Sequence, residues 1–351
     1  MRKIGSIFLT LFLLINSFVL AQEKSLDLQP KITGDARTWY DVDLTKNQGN
    51  FLIRNARIMF TGNASEAVSY KFLFDLAALT KTTTKSAVDT ATGQKFLTDA
   101  ATDLSIVNDA YISVKPIAKL GLTLGQFKVP FSTENLISTN SLPFSNRPLL
   151  SSKVAPDIYD IGFMASYTLP LPIEVNIDAA AFNGAGQNKS ETDKTDNYAF
   201  RAVIKPFEGF NISGNYSGGV LSGKKVKIYD IGAGYKSGNL TLAGEYGNRS
   251  TDLTSSDVNV NAYFGYAIYD MPVDCGFLKF ISPAIRYEYC EPNSTVNNDE
   301  VKRLTAGLTF SFAKITFAHF RVNYENFFYK DEYKGTDKNS DRLVCEFQVR
   351  F

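Results

Sequence analysis

Few residues in this 351-residue chain have the type and spacing for covalent chemistry. There is one histidine, His319, and no Gly-x-Ser-x-Gly run that would present a serine nucleophile. Alternation in its segment puts His319 in a row with Arg321 and Glu325, which marks it as a polar lining residue rather than a general base. Cys275 lies in a predicted turn and Cys290 a full strand further on; at roughly 3.3 Å per residue they are beyond disulfide reach. With Cys345 they are expected as free or buried thiols, and with a single histidine they form no metal-ligand spacing. No catalytic group, metal or cofactor is therefore expected. The chemistry that remains is charge: Arg57, Lys71, Arg201, Arg286, Arg303, Arg321 and Arg342 each recur at the polar parity of an alternating segment.

Those segments fill the chain from residue 30 onward. Ala36, Thr38, Tyr40 and Val42 oppose Asp35, Arg37 and Asp41; Ala56, Ile58 and Phe60 oppose Asn55 and Arg57. Further on, Leu304, Ala306, Leu308 and Phe310 oppose Arg303 and Thr305, and Cys345, Phe347 and Val349 oppose Glu346 and Gln348. Val260, Ala262, Phe264, Tyr266 and Ile268 form another apolar row. Period-two alternation over about ten residues predicts strands, about sixteen in all. A β-sandwich or solenoid would also alternate. Two features favour a transmembrane antiparallel β-barrel: rings cluster near strand ends as in lipid girdles, and connection lengths alternate. Lys115–Lys119, Pro170–Pro172 and Pro206–Gly209 are short, whereas Thr80–Asp103, Gly184–Thr195 and Tyr329–Asp341 are long and polar. A Lys or Arg facing lipid at mid-height costs roughly 2–4 kcal/mol, so the charged rows should line the interior and the apolar rows the outside.

The longest interruption follows the strand Leu120–Gly125. From Gln126 to Tyr159 the chain loses its period but carries Leu136, Ile137, Leu142, Phe144, Leu149 and Leu150, too much apolar surface to float in water. In a barrel of about sixteen strands, which leaves an aqueous channel, this third long loop, about residues 130–157, is expected to fold inward and narrow the bore.

Arg2-Lys3, the apolar run Ile4–Leu20 and Ala21 read as an export signal over residues 1–21, with the barrel domain from 22 to 351; a retained anchor is the competing reading. The chain has 37 basic side chains, less the two in the leader, against 36 acidic ones, so no global field would gather nucleic acid.

The run Gly125-Gln126-Phe127-Lys128-Val129-Pro130-Phe131, with Glu134, Leu142-Pro143-Phe144, Arg147, Pro156 and Asp160-Ile161-Gly162, resembles the porin O and P family, the phosphate-selective outer-membrane porins. Weaker similarity extends through Phe51–Arg57 and to Phe351. The resemblance implies a sixteen-stranded homotrimeric porin in a Gram-negative outer membrane, in contact with lipid and lipopolysaccharide and passing small hydrophilic or anionic solutes, phosphate and polyphosphate among the candidates. Asn146 stands where an acidic residue is expected and Tyr159 where a basic one is. The interior rows also mix Arg and Lys with Asp75, Asp178, Asp230, Glu245, Glu288 and Glu346, which argues against strict phosphate selectivity.

Charges act on ions within about 8 Å at physiological salt, so selectivity is expected at the narrow zone. There Lys128, Glu134, Arg147 and Lys153 would meet wall residues Arg57, Arg201, Arg303 and Arg321. The competing reading is that Glu134 and Arg147 pin the loop. Phe351, in a row with Phe347 and Val349, is expected to be read by the barrel-assembly machinery. A non-conducting structural or adhesive barrel and an outer-membrane barrel enzyme are the alternative functions.

Overall fold

The computed structural model describes residues 28–351 apart from 81, 89–94, 103–104, 191–196, 222–223, 253–256, 314–316 and 334–340. The predicted leader and its Ala21-Gln22 junction lie outside the described residues.

Alternating segments pair with their chain neighbours throughout. The order is β1 (Lys31–Asp43), β2 (Gln48–Asn63), β3 (Val68–Asp75), a separate hairpin β4 (Thr82–Val88) with β5 (Lys95–Thr102), then β6 (Val107–Ile117), β7 (Leu120–Lys128), β8 (Tyr159–Thr168) and β9 (Glu174–Phe182). Next come β10 (Asn197–Lys205), β11 (Phe210–Leu221), β12 (Lys224–Ser237), β13 (Leu240–Thr251) and β14 (Val258–Tyr269) with its continuation β15 (Met271–Cys275). The last are β16 (Leu278–Glu291), β17 (Val301–Ser311), β18 (Ala318–Tyr329) and β19 (Arg342–Arg350). β14 and β15 both pair with β16, so they count once, and the wall is a sixteen-stranded antiparallel barrel. β1 pairs with β19 from Asp35↔Arg350 to Asp43↔Arg342, which closes the sheet and leaves no free edge.

Burial is inverted relative to a water-soluble core. Arg286 and Glu288 are 1% and 0% exposed, whereas Leu124 and Ile231 are 66% and 58% exposed. That is the distribution of an outer face meant for hydrocarbon and an inner one meant for water and ions. Aromatic rings gather at two heights. Tyr198, Tyr216 and Tyr229 neighbour one another at 5.9 and 5.1 Å near the long loops. Phe207 stacks on Phe210 at 5.0 Å and Phe312 lies 5.6 Å from Phe277 near the short turns. One of those turns needs Gly209, whose φ is +79°; a Cβ there would meet the Lys236 carbonyl at 2.1 Å.

Two features depart from the sequence reading. The loop expected across Thr80–Asp103 contains the β4–β5 hairpin, whose Thr-rich strands carry little apolar alternation. In β14 the apolar row turns inward: Phe264 is paired with Glu245 on one side and Glu288 on the other, and Val260 and Ala262 are buried with it. The lipid-facing parity of β14 belongs instead to Tyr263 and Tyr269, both exposed.

Candidate functional site

The segment between β7 and β8 explains the inverted row. Its Phe131, Phe144, Leu149, Leu150 and Val154 are buried, and all but Phe144 form one cluster with Phe182, Ala199, Ile228, Val260, Ala262, Phe264 and Val301 of the inner wall. Phe144 meets Tyr266 edge-on at 5.7 Å, and the Arg286 guanidinium lies 4.5 Å from its ring centre. Burying one such side chain contributes about 1.5–3 kcal/mol.

Polar bonds hold the same segment to the rest of the wall. Ser132 Oγ donates to Glu245 at 2.6 Å and the Glu134 amide to the same carboxylate at 2.9 Å. Asn140 donates to Asp35 at 3.1 Å, and Gln348 donates to the Asn140 carbonyl at 2.9 Å. The Ser145 amide donates to Asn323 at 2.7 Å, Asn146 to Glu325 at 3.0 Å and the Leu149 amide to Glu288 at 2.6 Å. Arg286 and Arg303 donate to the carbonyls of Asn146 and Arg147 at 3.0 and 2.6 Å. Loop atoms thus reach inward-facing side chains on β1, β13 and β16 to β19.

Within the segment, the helical turn Thr133–Leu136 ends in carbonyls that attract cations, as helix C-termini do. Lys128 Nζ collects those of Asn135, Leu136 and Ile137 at 3.2, 3.1 and 2.7 Å, and Arg147 donates to those of Glu134 and Ile137. Burial pushes the Glu134 carboxyl up to about 7, against the pull of Arg286 and Arg147, and its Oε1 has no partner among the described residues.

Two cavities flank the segment along β1–β3. The one toward the long loops, about 580 Å³, is lined by Arg37, Arg54, Arg147, Lys153, Arg303 and Arg342, with Asp75 the one carboxylate among the described residues. The one toward the short turns, about 240 Å³, has Arg57, Lys71, Lys128 and Arg350 against Asp35 and Asp109. They abut at the loop: Thr139 lines the first, Asn140 and Ser141 the second.

The structure therefore brings Arg147, Lys153 and Arg303 into one chamber and Lys128 and Arg57 into the other. Glu134 lies buried against Glu245 and lines neither. Arg201, 3.9 Å from Asp178 and bonded to Thr133, and Arg321, paired with Glu346 at 3.0 Å, also stand outside both. Arg54 escaped strict alternation, which groups it with Ala56 on the outer row. A bulge re-phases β2 where Arg37↔Asn55 gives way to Thr38↔Ile53, and Arg54 swings in over Trp39, 5.2 Å from the ring centre. A β-bulge leaves no reliable mark in composition, so nothing in the sequence flagged it.

Three of the six cations of the first chamber, Arg37, Arg303 and Arg342, are paired with carboxylates, as are their neighbours Arg286 and Arg321. Glu346 takes Arg37 and Arg321, Asp41 takes Arg342, and Glu288 takes Arg286 and Arg303. Arg54 makes no ion pair among the described residues, and the polar partners of Arg147 are carbonyl oxygens.

The profile of the family described as phosphate-selective porin O and P matches residues 28–217, more than half the chain. The chain belongs to this family. This porin O and P member shares its fold with Salmonella typhi OmpF, solved in complex with daunomycin, at 15% identity and a TM-score of 0.61, covering 92% of this chain and 97% of that one. The anion-selective porin from Comamonas acidovorans aligns at 13% identity and a TM-score of 0.60, covering 92% and 98%. OmpT of Vibrio cholerae, in its trimer form, aligns at 11% and 0.59, covering 92% and 99%. A comparison with curated protein sequences returns no match. The protein is an outer-membrane diffusion channel, with a barrel wall that separates lipid from a polar bore.

Proposed function

We propose that this porin prefers anions without being restricted to phosphate, that the segment between β7 and β8 folds into the bore as its constriction, and that three copies assemble. The observation that carries the preference is the chamber of about 580 Å³ with six basic side chains and one carboxylate. Asp75 is itself occupied, since it accepts from Asn55 and from the amides of Ala56 and Ala77. Rings of charge this close to the path set selectivity, because the screening length is about 8 Å. Strict phosphate selection would call for several unpaired cations at one depth, whereas Arg37, Arg303 and Arg342 each have a carboxylate partner. Bonds from the loop to opposed parts of the wall support the constriction, and trimeric porin neighbours support the assembly. Zero-current potentials across planar bilayers in a KCl gradient test the reading: chloride preference is expected, and potassium preference or no conductance overturns it.

Phe351, exposed and bonded through its backbone to Gly34 at 2.9 and 3.0 Å, is the proposed contact for the assembly machinery. Deleting it should lower the yield of inserted barrel; unchanged surface yield would remove that role.

A further inference from the structure

The chamber toward the long loops has a second chemistry that small inorganic anions do not use. The inward row of β18 changes character along its length: Arg321, Asn323 and Glu325 give way to Phe327 and Tyr329. Phe327 and Tyr329 lie 6.1 Å apart with their planes within 7°, and Tyr333 of the following loop meets Tyr329 at 4.8 Å. All three line the chamber, as does Leu142 of the loop. Tyr333 belongs to the buried cluster that seats the loop, and Phe327 and Tyr329 pack against it, but both are only half-buried and leave ring surface on the chamber, where a bore for hydrated ions alone would be polar. Arg303 joins this aromatic edge to the basic one: its guanidinium lies 5.4 Å from the Phe327 ring centre, and its Nη2 donates to the Arg147 carbonyl at 2.6 Å.

We propose that this chamber binds small aromatic carboxylates, the carboxylate held by Arg54 and Arg147 and the ring laid against Phe327 and Tyr329. A flat ring gains from offset stacking on these faces, while the two guanidiniums, which have no carboxylate partner among the described residues, supply the charge. The chamber's volume, about 580 Å³, suits a ligand of that size with water around it. A site here would concentrate such solutes above the constriction. The proposal rests on the anion-preferring reading of the passage.

The test is current block of the purified full chain in planar bilayers by benzoate, cyclohexanecarboxylate and acetate. Benzoate should block at concentrations about three- to tenfold lower than the other two, the worth of one aromatic pair. Equal block by acetate, or by cyclohexanecarboxylate, overturns the proposal with no variant needed. Phe327→Leu and Tyr329→Leu should erase the benzoate advantage and Tyr329→Phe should keep it. Open-channel conductance without ligand verifies that each variant has folded, and an undiminished advantage in both leucine variants also overturns the proposal. The zero-current potential in chloride, taken on the same membranes, keeps the two readings apart. Potassium preference there refutes the anion reading, whereas chloride preference without benzoate block refutes this inference alone.

Discussion

The inner wall has two unlike halves. From β10 to β14 the inward row includes Ala199, Ile228, Val260, Ala262 and Phe264, and the loop seals against it through Phe131, Leu149, Leu150 and Val154. From β16 through β19 to β2 the inward row, apart from Val301 and the Phe327–Tyr329 tier, is mostly arginine, carboxylate and amide, and it meets the loop chiefly through hydrogen bonds. The difference shows how one segment can be both fixed and bordered by water. Apolar burial anchors it on one flank, while the charged flank satisfies the loop's polar groups and leaves chambers beside them.

The first way to break this contrast is to cut the apolar anchor. Phe131→Ala should cost about 3–5 kcal/mol and free the loop, seen as noisier single-channel current and faster tryptic cleavage after Lys153. Unchanged cleavage would mean the polar flank suffices. Asn323→Ala removes one polar tie and leaves the buried Ser145 amide unpaired, for about 1–3 kcal/mol and a smaller rise in cleavage. Arg54→Gln should leave the loop in place and lower the chloride-to-potassium permeability ratio about two- to fivefold, as expected for one charge about 4–8 Å from the path in water. A ratio within error of wild type would assign selectivity elsewhere.

The smallest effect concerns pH. The Glu134 carboxyl is raised from 4.5 to about 7, so ionising it in place opposes the closed arrangement. That cost is absent below about 4.5, grows as pH rises and is complete above about 7. Glu134→Gln should therefore flatten the pH dependence of loop protection between those values. A variant that tracks wild type across the range would show that this carboxyl does not report on the loop.

Much of the barrel was legible because alternation and arginine together fix both the strand and its inward face. β14 shows the limit. Val258–Tyr269 contains no charged residue, so its alternation states that two faces differ without saying which one meets lipid. Only the loop's need for an apolar seat decides it. Arg54 was hidden because a single bulged residue reverses parity. The chambers were hidden for a different reason: their walls come from strands and loops scattered over the chain. The break between β7 and β8 was visible as a long aperiodic run, and its Leu142, Phe144, Leu149 and Leu150 are buried.

The junction of β1 and β19 carries a further consequence. Arg37 and Trp39 both reach Glu346, and Arg342 reaches Asp41, so every one of these ties spans at least 301 positions. Contacts of such separation form late, because most of the chain must be in register before they can be made. Until that seam is stitched, two unpaired strands stand open to neighbours, and the molecule cannot yet hold salt on one side and solvent on the other. Its last ionic fasteners are therefore also its first watertight moment.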